Sequence, residues 1–181
     1  MPSFANSAQR LLRQLLGGPF RIKGPYAGTE TTLDGNTAVA VAEAGISEGA
    51  GLGGSFPADT ADLAWRVEQQ RLGINLMGRA LIGRPAEGAR GALAAATGLA
   101  LSGCRATAFL SGPDLAGAQD LLTSAAGRHL PLVLHICNRA LAEQSSTPGS
   151  GHEAVHLSAD AGCFLLFATN VQEAVDFTLI A

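Results

Sequence analysis

Arg139 follows the continuous apolar run Leu130–Ile136 and precedes Ala140-Leu141-Ala142. A guanidinium just past a core strand can present a planar bidentate fork to a carboxylate. It can equally cap the strand end or pair with Glu143. Glu87 is the carboxylate at the start of an Ala-rich helical stretch. The positive end of a helix favours an acid there without any function. A carboxylate buried at a strand–helix junction can also hydrogen-bond a heterocyclic nitrogen and tune its proton chemistry. Ser55-Phe56-Pro57 and Ser111-Gly112-Pro113-Asp114 are corners where an extended piece turns into a helix, so both can face a ligand, and their helix starts could receive an anion. No Gly-Lys-Ser/Thr follows either corner, which excludes a P-loop. His152 and His156 lie four apart and could share a helical face. Two histidines without a third ligand suit loop anchoring better than a metal.

The elements that must position these residues follow from the apolar pattern. Asp34-Gly35-Asn36 opens a helix with Asn36 as N-cap and Ala38–Ala44 as a small-residue face. A Gly-rich stretch, Gly45–Gly54, leads through a short extended piece to Ser55-Phe56-Pro57. Asp59 or Thr60 caps a helix over Ala61–Gln70. Strands are predicted over Asn75–Ile82, Ala106–Leu110, Leu130–Ile136 and Gly162–Ala168. Helices are predicted over Glu87–Leu101, from Ser111 through Ala126, and from an Asn170 cap through Ala181. The run Leu130–Ile136 is apolar throughout, as strands covered on both faces require. This β-α alternation predicts an α/β fold, a doubly wound, mostly parallel sheet with helices on both faces. The expected division is an N-terminal helix and loop over residues 1–33 and an α/β domain over residues 34–181. The last helix ends apolar and uncapped, as in a piece of a longer polypeptide or of a multi-subunit enzyme.

The formal net charge is −3 over 181 residues, with 15% charged and 5% aromatic residues. No basic cluster tracks a phosphate backbone, so no nucleic-acid partner is expected. No apolar run is long enough for a bilayer. Before Glu30 the chain has no acid and carries Arg10, Arg13, Arg21 and Lys23. That fits either a transit peptide or an ordinary amphipathic helix, Ser7–Leu16, stopped by Gly17-Gly18. Cys104, Cys137 and Cys163 lie in apolar stretches without a CxxC pair, as in a reduced cytoplasmic protein with no iron–sulfur cluster of its own.

Several motifs share an order with one enzyme family. Asp34-Gly35-Asn36-Thr37-Ala38 matches D-G-N-x-A, and Asn75-Leu76-Met77-Gly78 is similar to N-I-F-G. Gly91-Ala92-Leu93-Ala94-Ala95 matches G-A-L-A-A, and Leu130 to Leu141 matches L-P-x-V-x-H-x-x-x-R-A-L. His152 stands at the histidine of D-H-Q-D, and Asn170 to Asp176 is similar to N-S-V-Q-E-V-M-D. In this order the chain resembles the pyrimidine-binding domain of the thiamine-diphosphate-dependent pyruvate:ferredoxin (flavodoxin) oxidoreductases. The resemblance implies oxidative decarboxylation of a 2-oxoacid with electron transfer. It also implies a partner domain or subunit holding the diphosphate and Mg²⁺, with iron–sulfur clusters elsewhere that pass electrons to ferredoxin or flavodoxin. The whole would be a homo-oligomer or multi-subunit complex, since this chain lacks the G-D-G…N diphosphate motif and cannot run the reaction alone.

Residue by residue, the resemblance makes Arg139 the ligand of the substrate carboxylate. It makes Glu87 the catalytic and cofactor-binding carboxylate that contacts the aminopyrimidine and helps it deprotonate the thiazolium carbon. Ser55, Phe56 and Pro57 would line the substrate pocket, with Ser111 and Gly112 beside the cofactor. Two positions depart from the family. Ser55 and Phe56 stand near its substrate-contacting threonine, and its glutamate falls near Ala89 unless the helix register shifts by two to Glu87. Such departures also fit a non-catalytic pyrimidine-type domain, a scaffold or docking module in a multi-domain redox enzyme such as a sulfite reductase flavoprotein. An unrelated α/β protein that binds an anion at Ser111-Gly112-Pro113 is a third reading.

Overall fold

The computed structural model describes residues 31–138 and 152–181. The Ser7–Leu16 helix and Arg139 lie outside them.

Four strands, β1 (Gly49–Leu52), β2 (Ile82–Pro85), β3 (Ala106–Ser111) and β4 (Leu132–Cys137), form one sheet in the order β2-β1-β3-β4. Every pairing is parallel, with Gly49 opposite both Ile82 and Ala106, and Phe109 opposite His135. Parallel neighbours need crossovers, and helices supply them. In chain order the helices are α1 (Gly35–Ile46), α2 (Asp59–Leu72), α3 (Gly88–Leu101), α4 (Gly112–Ala116), α5 (Gln119–Gly127), α6 (Glu153–Asp160) and α7 (Val171–Ile180), and α2 to α5 lie between strands. The predicted doubly wound α/β sheet is the observed architecture.

The period of two along β3 sends alternate residues to two separate cores. Phe109 packs with Val39, Ala40, Leu52 and Trp65 under α1 and α2, and Ala174 of α7 joins this face. Leu110 packs with Leu93, Leu115 and Leu122 under α3, α4 and α5. The α3 backbone lies almost directly on β1. A Cβ at Gly51 would fall 1.9 Å from the carbonyl oxygen of Ala92, so only glycine fits this close approach.

Several boundaries differ from the sequence reading, each for a local reason. Asp34, not Asn36, caps α1, its carboxylate accepting the Thr37 amide at 3.0 Å. Asn36 is freed for a tertiary role described below. The strand predicted over Asn75–Ile82 begins only at Ile82. Asn75 is instead buried and gathers a turn, its Oδ1 accepting the amides of Met77 and Arg79. The single helix predicted from Ser111 through Ala126 is two, α4 and α5. Helix α6 occupies the segment after His152 where loop anchoring is the expected role of the two histidines. The predicted strand Gly162–Ala168 has no ladder partner among the described residues, and Phe164 is fully exposed. An apolar run looks the same in sequence whether or not its backbone finds a partner.

Candidate functional site

Strand β1 leads through α2 to β2 on one side, and the chain then crosses back over β1 to reach β3 on the other. The order therefore reverses between β1 and β3. Their carboxyl ends open a crevice, the place where open α/β sheets receive ligands. Ser55, just past β1, and Ser111, the last residue of β3, meet across it with their hydroxyl oxygens 3.0 Å apart. Ser55 donates its hydroxyl to Asp114 Oδ1 at 2.7 Å and its amide to Asp114 Oδ2 at 2.8 Å. Asp114 Oδ2 also accepts the Ser111 amide at 2.9 Å, while the Ser111 hydroxyl accepts the Asp114 amide at 3.3 Å. This reciprocal capping box at the start of α4 puts the chain's own carboxylate where an anion at that helix start would sit.

The turn before Ser55 is held from below. Buried Asp62 on α2 accepts the amides of Gly53 at 2.7 Å and Gly54 at 2.9 Å on one oxygen, Oδ2. Among the described residues, its other oxygen and Trp65 Nε1, also on α2, are buried without a hydrogen-bond partner. Burial pushes the Asp62 carboxyl up to about 6, against the two amides and Arg66, with Asp59 adding repulsion. Gly54 presses so close to β3 that a Cβ there would lie 2.2 Å from the Phe109 carbonyl oxygen.

Asn36 closes the side of the crevice. Its Nδ2 donates to the Pro57 carbonyl at 2.8 Å and to Thr60 Oγ1 at 2.6 Å, and its Oδ1 accepts the Cys137 thiol at 2.8 Å. One amide thus ties the start of α1, the Ser55-Phe56-Pro57 corner and the end of β4. Burial, with the carboxylates of Asp62, Asp59, Asp114 and Asp34 adding to it, pushes the Cys137 thiol up to about 12, so it stays protonated and donates. Phe56 projects outward, 58% exposed. Glu87 stands at the N-cap of α3, just past β2 on the same edge, exposed and making no side-chain cap hydrogen bond. Ala89 packs against the α3 core. Gly53 lies against this junction, its Cβ position 2.8 Å from the Ala86 oxygen and 2.9 Å from the Gly88 oxygen.

The fold therefore brings Ser55, Phe56, Pro57, Ser111, Gly112 and Glu87 to one edge. Arg139 lies outside the described residues, two positions beyond the end of β4. His152, the N-cap of α6, and His156 within it are both exposed, and no metal-holding group of three His, Cys, Asp or Glu occurs among the described residues.

Sequence reasoning missed Asp62 and Asn36, whose roles depend on contacts across more than one element. It also missed a buried cluster between α1 and the sheet. Glu43 of α1 is fully buried, with Oε1 2.7 Å from His135 Nε2 and 3.7 Å from Arg105 Nη2, and it accepts a hydrogen bond from Ser47. His135 stacks on Phe109 with ring centroids 5.5 Å apart. Gly45-Ile46-Ser47-Glu48-Gly49 has the spacing of a nucleophile elbow. It joins helix to strand rather than strand to helix, and its serine is buried against Glu43, so it presents no nucleophile. Gly49, Gly51 and Gly54 have dinucleotide-fingerprint spacing, but the first two lie inside β1 and α2 begins only at Asp59.

The family model for the pyruvate flavodoxin/ferredoxin oxidoreductase, thiamine diphosphate-binding domain, matches residues 82–181. The chain is 36% identical over 91 residues to a probable pyruvate-flavodoxin oxidoreductase of Escherichia coli, covering 50% of this chain and 8% of the relative. It is 35% identical over 97 residues to pyruvate synthase subunit PorA of Thermotoga maritima, covering 54% and 24%. It is 31% identical over 156 residues to a putative pyruvate-flavodoxin oxidoreductase of Synechocystis, covering 84% and 13%. The chain thus spans less than a quarter of the length of these relatives.

Proposed function

This chain belongs to the pyruvate flavodoxin/ferredoxin oxidoreductase thiamine diphosphate-binding family, and on that premise we propose that it forms the aminopyrimidine half of a thiamine diphosphate site in a 2-oxoacid:ferredoxin or flavodoxin oxidoreductase. One observation carries the proposal. The three β–α junctions with Ser55, Ser111 and Glu87 lie at one carboxyl edge, beside the strand reversal. The residues there fit the cofactor's polar end. Glu87 is exposed, outside any capping bond, and a carboxyl group can share a proton with a pyrimidine ring nitrogen. Thiamine diphosphate, when bound, supplies the electron sink for loss of CO₂ from a 2-oxoacid.

The remaining work falls to this chain's side chains. Ser55, Phe56 and Pro57 line the substrate side, where exposed Phe56 excludes water. Ser111 and Gly112 lie beside the heterocycle. The carboxylates of Asp114 and Glu87 would repel a 2-oxoacid anion, so a cation must offset them. Arg139, two residues beyond β4, is the residue we assign to that role. Diphosphate, Mg²⁺ and iron–sulfur clusters belong, in this reading, to partner domains or subunits of a cytoplasmic multi-subunit assembly.

The test is 2-oxoacid-dependent reduction of a low-potential dye by the assembled protein. Arg139→Ala should raise KM for the 2-oxoacid at least tenfold, and Arg139→Lys less. An unchanged KM in Arg139→Ala, or no turnover by the wild-type assembly, contradicts the proposal.

A further inference from the structure

We propose that Asp62 is a positioning residue, which fixes the Gly53-Gly54-Ser55 turn and so aligns the substrate side of the site without touching substrate. The inference rests on the proposed function only for what the turn serves; the turn's dependence on Asp62 stands by itself. One oxygen of this carboxylate takes two successive amides, an arrangement that dictates the backbone orientation of both glycines. Two glycines in sequence have the widest conformational freedom of any dipeptide, so the turn needs an outside restraint. The next residue is Ser55, whose amide and hydroxyl must both reach Asp114. A small rotation at Gly54 would break both bonds.

Asp62 is an expensive choice for a purely structural anchor. It is 6% exposed, and its Oδ1 has no partner among the described residues. A buried acceptor left unsatisfied works against folding. What the carboxylate provides, and a neutral amide does not, is charge-assisted hydrogen bonding to both amides. The charged groups around it are Arg66 and Asp59 on its own helix, and the Cys137 thiol of β4 also feels its charge. With a carboxyl pushed up to about 6, the restraint is present at neutral pH and weakens as the pH falls through that value.

The test follows the Gly53, Gly54 and Ser55 amides of the full chain by nitrogen–proton NMR between pH 8 and 4.5. In wild type the Gly53 and Gly54 amide protons should move upfield together as the pH falls, with a common midpoint near that of Asp62. In Asp62→Asn that step should vanish. In the assembled protein Asp62→Asn should raise KM for the 2-oxoacid several-fold and leave kcat within about twofold, and the rise of wild-type KM below pH 6 should be lost. Amides that do not titrate in wild type, or that titrate unchanged in Asp62→Asn, overturn the restraint. A normal NMR result with unaltered KM overturns the positioning role. Absence of 2-oxoacid turnover in wild type would instead overturn the proposed function and leave the NMR result to decide the restraint.

Discussion

Ser55 Oγ lies 2.7 Å from Asp114 Oδ1, although the two residues belong to different β–α junctions. Asp114 thereby fastens the mouth of the crevice, holding the end of β1 to the end of β3. Removing its carboxylate leaves the Ser55 and Ser111 amides without their acceptor. Asp114→Ala should cost roughly 1–3 kcal/mol in urea-induced unfolding, and Asp114→Asn less, because its oxygen still accepts. An Asp114→Ala variant as stable as wild type would show that water replaces the carboxylate at no cost.

The junction of α1 with β3 and β4 depends on Glu43. Breaking a buried charge cluster by removing one partner typically costs about 3–5 kcal/mol. Glu43→Ala should therefore destabilise by that order, since His135 and Arg105 lose a shared partner. The double variant Glu43→Ala/His135→Phe should recover part of the loss, because phenylalanine can keep the stack on Phe109. Chemical denaturation of the four members of the cycle measures the coupling.

Gly51→Ala tests the contact between α3 and β1. The added methyl would overlap the Ala92 carbonyl oxygen, and helix and strand must separate. Overpacking of this kind costs about 1–3 kcal/mol, and here backbone rather than a side chain must yield. A melting temperature equal to that of wild type would mean that α3 shifts freely.

The Asp62 carboxyl gives a pH signature with a definite sign. Its folded value is raised from 3.8 to about 6, so between those values the folded state binds more protons than the unfolded one. Stability from this group therefore falls as the pH rises from 4 to 6, and the penalty is complete above 6. The shift corresponds to roughly 3 kcal/mol. Relative to Asp62→Asn, wild type should gain stability on acidification across that window, while the Gly53-Gly54 turn loosens. Parallel pH dependences for the two proteins would contradict this.

Much of the fold was legible because its signals are local. The run Leu130–Ile136 predicts a strand, and β4 is there, although as the outer strand of the described sheet it is half-buried rather than covered on both faces. Asn170 caps α7 by accepting the Glu173 amide, and β-α alternation predicts the sheet. Strand β1 escaped clear reading because Gly-Ala-Gly-Leu has none of the branched residues that mark strands. Its place in the middle of the sheet comes from α3 lying on it. Asp62 lies within the predicted helix Ala61–Gln70 with no local signal of its own, and only the approach of Gly53 and Gly54 gives it work. The residue type of Asn36 suits a cap. Asp34 took the cap, and a tertiary contact with Pro57 and Cys137 decided the role of Asn36. The Ser55 and Ser111 corners were visible as strand–helix turns, but their meeting depends on strand order, which no local pattern encodes.

We propose that this carboxyl edge receives the aminopyrimidine of thiamine diphosphate, with Glu87 as its carboxylate. Calorimetric titration of the assembled protein with thiamine diphosphate and Mg²⁺, wild type against Glu87→Gln, tests it most directly. Wild type should bind, Glu87→Gln should bind at least tenfold more weakly, and 2-oxoacid turnover should be lost in that variant. Equal affinity together with intact turnover would contradict it.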